Sequence, residues 1–213
     1  MKKEILDRIE LLGGDISQVT GKSLADDLCS ITFSTVLYRK PVDTPWLNAQ
    51  DEEPIYGLED FVNENIRWFY SDRDDFFEKL YRKYFILTEE PYGQYFWRGE
   101  MFTPFKKDSE DFDEWNDMFQ EERYTFKEIF SVVTDKDTDF VHLFYGYGYP
   151  DGIYVATKDK NSDNPTVFGT DHEAFFIEIY ANEGDLETYL QTFWTKEELR
   201  ASIEEFIQKK GFC

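Results

Sequence analysis

The hydrophobic positions of this chain fall into runs of helical period and runs of strand period, and their order predicts helices gathered around an antiparallel sheet. Ile5, Leu6, Ile9 and Leu12 recur at helical spacing, and Gly13-Gly14 ends that run. Ser23 is placed to cap a short helix over 24–29. Residues 31–38 are rich in β-branched and aromatic side chains and read as one strand. Leu58, Phe61, Val62, Trp68 and Phe69 line one helical stripe, and Phe76, Phe77, Leu80, Tyr81, Tyr84 and Phe85 line a second, almost wholly aromatic one. Before them, 40–57 holds Pro41, Pro45, Pro54 and the acidic run Gln50-Asp51-Glu52-Glu53, the mark of a long loop. Residues 93–105 fit a hairpin turning at Arg98-Gly99-Glu100. Ser109 then caps a helix with Glu110, Asp111 and Asp113 in its first turn and Phe112, Trp115 and Phe119 on its inner face.

The C-terminal third changes character. Residues 140–145, 153–157 and 166–170 read as three short strands, with Pro150-Asp151-Gly152 as a tight turn between the first two. Short links between contiguous strands predict an antiparallel meander. Leu186, Tyr189, Leu190 and Phe193 line a following helix. Thr195 and Glu198 form a capping box for the last one, whose inner face is Leu199, Ile203, Phe206 and Ile207. The class is α+β, an antiparallel sheet packed with several helices. One domain over 1–213 is expected, with an elaborated N-terminal half (1–125) and a sheet-and-helix part (126–213).

Charge changes the picture of the surface. The chain carries 45 Asp and Glu against 23 Lys and Arg, a net charge of −22, yet 19% of its residues are aromatic. Acidic chains that stay disordered lack such aromatics, so this one can bury a core and wear an acidic coat. That coat repels phosphate backbones and anionic lipid, which argues against nucleic acid or membrane partners and for a basic protein. Charges among Met1, Lys2, Lys3, Glu4, Asp7 and Arg8 interrupt any signal-peptide core, and Cys29 and Cys213 are too few for a disulfide framework. A reducing cytoplasm is the expected compartment.

Candidate chemistry is thin. Gly21-Lys22-Ser23 lacks the earlier Gly of a phosphate loop, since Ile16 stands in that place. Gly146-Tyr147-Gly148 is too short for a dinucleotide fingerprint. Asp135, Asp137 and Asp139, like Asp159, Asn161 and Asp163, have the alternate spacing of a calcium loop without its turn glycine or its final Glu. Asp171-His172-Glu173 would need further ligands, and the only other histidine, His142, sits mid-strand. A Cys29–His172 pair has no catalytic signature around it. No catalytic, cofactor or metal residue is therefore assigned. The acidic stretch 108–122 reads either as a solvated helix face or as a docking surface, with Asp108, Glu110, Asp111, Asp113 and Glu114 as its partner-binding residues.

The segment from Asn164 to Glu173, with Val167, Phe168, Asp171 and His172, is followed by Leu186, Tyr189 and Leu190. This resembles the closing section of the SUKH superfamily, the Smi/Knr-like proteins, across roughly the last third of the chain. The resemblance implies a bacterial immunity protein that shields its producer from a toxin, or a related regulatory scaffold, and it implies no catalytic residues. The competing expectation is a small enzyme with its site beneath the 40–57 loop.

Overall fold

A computed structural model describes residues 1–41, 55–87, 93–121, 127–135, 138–147, 151–170, 177–178 and 184–211. In chain order its elements begin with α1 (Lys3–Leu11), β1 (Gly14–Asp15), α2 (Leu24–Ser30), β2 (Thr32–Phe33) and β3 (Leu37–Tyr38). Then come α3 (Leu58–Glu64), α4 (Ile66–Ser71), α5 (Arg73–Tyr84), β4 (Gln94–Phe102), α6 (Glu110–Glu121) and α7 (Lys127–Val132). The chain closes with β5 (Phe140–Gly146), β6 (Asp151–Ala156), β7 (Val167–Thr170), β8 (Ile177–Glu178), α8 (Leu186–Gln191) and α9 (Lys196–Lys210). Strands β3 to β8 form one antiparallel sheet in sequential order, and β1 pairs with β2 in a separate ribbon. The α+β class and the C-terminal meander are as the sequence predicts, and the sheet takes strands from both halves of the chain. No helix among the described residues is long and apolar enough to cross a membrane.

Three expectations give way to longer-range packing. The 31–38 strand is two short strands that serve different sheets, because Thr32–Phe33 pairs with β1 while Leu37–Tyr38 pairs with β4. The stripe over 58–69 is broken into α3 and α4 at Asn65, whose ψ of 13° leaves the helix and whose side-chain amide donates to the Phe61 carbonyl. The 93–105 hairpin is a single strand. Arg98-Gly99 is a bulge in β4, with Trp97 opposite Phe144 and Glu100 opposite His142. A glycine at φ +59° serves a bulge as well as a turn, and sequence does not separate the two. At the same level β5 holds one extra residue, Leu143, relative to β6. Leu143 and Phe144 therefore both enter the same core, which strict alternation would forbid.

Among the described residues, three buried clusters hold the layers together. On one face of the sheet, Val141, Leu143, Phe144, Val155 and Val167 pack against Ile5, Ile9, Leu28, Leu186 and Leu190 of α1, α2 and α8. On the other face Phe102, Phe140, Tyr154 and Phe168 pack with Ile129 and Val133, and Trp115 of α6 leans on them. A third cluster joins α3, α4, α5 and α9 to Val36 and Tyr38. It is largely aromatic, with Phe69, Phe76 and Phe77 meeting edge to face. Cations roof its outer edge: Lys79 lies 3.4 Å from the Trp68 ring centre, and Arg200 4.7 Å from that of Phe77.

The ends of the chain meet at Arg8, which is 6% exposed. Its guanidinium donates to the Phe193 carbonyl at 2.7 Å, the Leu190 carbonyl at 3.3 Å and the Glu198 carboxylate at 3.0 Å. Glu198 also accepts from Lys40 at 2.9 Å and completes the capping box with Thr195. Burial opposes the charge on Glu198, but Arg8, the Thr195 amide and Lys40 outweigh it and hold its carboxyl at about 2.

Arg8→Met removes the guanidinium donors from this node while keeping much of the bulk. It should cost about 3 kcal/mol in urea unfolding, because Glu198 loses its buried cation and the Leu190 and Phe193 carbonyls each lose a side-chain donor. A loss below about 1 kcal/mol would show that the node contributes little. Gly99→Ala should also destabilise, by about 2 kcal/mol, since its φ is positive and a Cβ there would lie 2.7 Å from Trp97 Nε1 and 3.0 Å from the Leu28 carbonyl oxygen. An unchanged unfolding midpoint for the Gly99 variant would contradict the bulge geometry.

Candidate functional site

The acidic helix α6 is the surface that the residues single out, and local bonds set which of its side chains face outward. Asp108 takes φ +70° at the turn into the helix. Ser109 caps it: the hydroxyl accepts from the Phe112 amide at 3.1 Å and donates to the Thr103 carbonyl at 2.9 Å. Asp111 turns back from the surface, accepting from the Thr103 amide at 2.7 Å and the Thr103 hydroxyl at 3.2 Å. Asn116 donates to the Pro104 carbonyl, and Trp115 meets Phe102 edge to face. These anchors fix the rotation of α6 about its axis.

The opposite face carries Glu110, Asp113, Glu114 and Asp117, all exposed and spaced at i, i+3, i+4 and i+7. Among the described residues none of these four, nor Asp108, forms an ion pair. Four of the five expected partner-binding residues are thus exposed, and Asp111 is committed to Thr103. Asp117 shares this exposed face, as its helical spacing from Asp113 requires. Some acids of the helical cluster are matched by bases: Asp74 and Glu204 meet Arg200, Glu78 meets Arg82, and Glu59 meets Lys210. Residues 55–87 and 196–210 hold nine Lys and Arg against eleven Asp and Glu, leaving 14 against 34 for the rest of the chain. The acid excess therefore lies outside the α3–α5 and α9 helices.

The other candidates use their polar groups on the fold itself. Ser23 caps α2 as expected. The amides of Thr20 and Gly21, which a phosphate would need, already donate to the buried Asp27 carboxylate at 2.8 and 3.0 Å. Asp159 is buried and accepts from the amides of Asn161 and Thr166, and Asp135 pairs with Lys158. Among the described residues no group of three or more His, Cys, Asp or Glu could hold a metal ion. Burial raises the Cys29 thiol above its ordinary value, with Asp26 and Glu100 adding to the effect, the reverse of what a nucleophile needs. Asp137, Gly148, the trio Asp171-His172-Glu173, Cys213 and residues 42–54 of the long loop lie outside the described residues.

His142 has a structural part. Its Nε2 is 2.9 Å from the Phe144 carbonyl, and a carbonyl only accepts, so Nε2 carries the proton. The ring stacks on Tyr154 at 4.5 Å. Burial pushes the imidazole down to about 4; the Phe144 bond pulls the other way, and Arg98 adds to the lowering. No protein-family model, curated protein or solved structure matches this chain.

Among the described residues, His142 and Glu198 are the groups held furthest below their ordinary values, and they dominate the acid response. His142 is neutral when folded and takes its proton near 6.5 when unfolded, so its contribution is complete above pH 6.5 and is lost as the pH falls towards 4. The Glu198 contribution is complete above 4.5 and lost as the pH falls through about 2. Melting temperature should therefore fall in two overlapping stages on acidification. His142→Gln should flatten the upper stage, worth about 2 kcal/mol after allowance for solvent at the ring edge. A profile identical to that of the unsubstituted protein would remove His142 from the account. A chelator should leave the melting temperature unchanged, whereas a fall restored by zinc or calcium would reveal a metal linked to folding.

Proposed function

We propose that this chain is a non-enzymatic protein-binding domain whose partner is a basic protein, in the manner of a bacterial immunity protein that neutralises a toxin in the cytoplasm. The observation that carries this reading is the row of exposed, unpaired carboxylates on α6. Like charges at i, i+3 and i+4 repel one another, and Asp117 lies towards the negative end of the helix dipole. This repulsion offsets part of what Glu110 and Asp113 gain at the positive end of the dipole, and a cationic surface brought against the row would relieve it. With a net charge of −22 behind it, the row would also steer a basic partner during approach, raising the association rate by orders of magnitude at low salt. The likeness of the C-terminal third to Smi/Knr-like proteins supports the same class of function.

Reversal of Glu110, Asp113 and Glu114 to Lys tests the reading. Association with a purified basic toxin encoded beside this chain should slow at least tenfold at low salt and lose most of its salt dependence, with dissociation less affected. The fold should survive, its melting temperature moving by only a few degrees, because the three side chains are exposed and unpaired. Stopped-flow measurements decide it: an association rate indifferent to both salt and the reversals would remove α6 as the docking surface.

A further inference from the structure

We draw no further inference here: the strongest candidate, the exposed apolar side chains Tyr56, Ile86 and Leu87 around the C-terminal end of α5, carries nothing because nothing in the structure shows what covers them.

Discussion

A guanidinium taken out of water has to find acceptors for its donors, and the way Arg8 meets that demand organises the molecule. Its acceptors are the carbonyls of Leu190 and Phe193, at and just beyond the end of α8, and the carboxylate of Glu198 in the first turn of α9. One side chain from the first helix thus adds a donor to carbonyls where α8 ends and ties them to the first turn of α9. Glu198 extends the tie to Lys40, next to β3, while Trp194 donates its amide to the Tyr38 carbonyl and Lys40 donates its own to that of Thr192. The edge strand, the last two helices and the first helix are registered against one another at this place. It is also where the core beneath the sheet meets the aromatic cluster of α3–α5 and α9.

The aromatic content and the acidic surface are complementary solutions. Large rings let a chain with 32% charged residues bury enough apolar area to fold, and their faces take cations that would otherwise be solvated. Lys and Arg are drawn to the helical cluster, where they sit over rings and pair with neighbouring acids. The sheet side with α6 is left with carboxylates that nothing described neutralises. Segregation of this kind follows from where the aromatic stripes lie, and it gives the surface a direction that net charge alone does not convey.

Polar residues that invite a chemical reading are mostly spent on the backbone. Asp27 gathers the amides of its loop, Asp159 holds a turn, Asp111 secures the entry to α6, and His142 binds the carbonyl of Phe144 at the β5 bulge. The common cause is that a short strand or helix ends in unpaired amides and carbonyls, and burial requires a partner for each. In a chain with so many short elements, carboxylates beside loops serve that need first.

What the sequence determined by itself was set by local periodicity and local hydrogen bonding. The caps at Ser23, Ser109 and Thr195, the aromatic face of α5, the three-strand meander and the exposed acids of α6 all rest on neighbours a few residues apart. Tertiary structure decided the rest. Whether Arg98-Gly99-Glu100 turned or bulged depended on β5, 40 residues downstream, and the splitting of 31–38 depended on two different partners. Asp111 was separated from the other acids of its helix by Thr103, which helical spacing does not register. Arg8 had no visible partner at all in the sequence, because Glu198 lies 190 residues away and only the closed fold brings the two into a hydrogen bond.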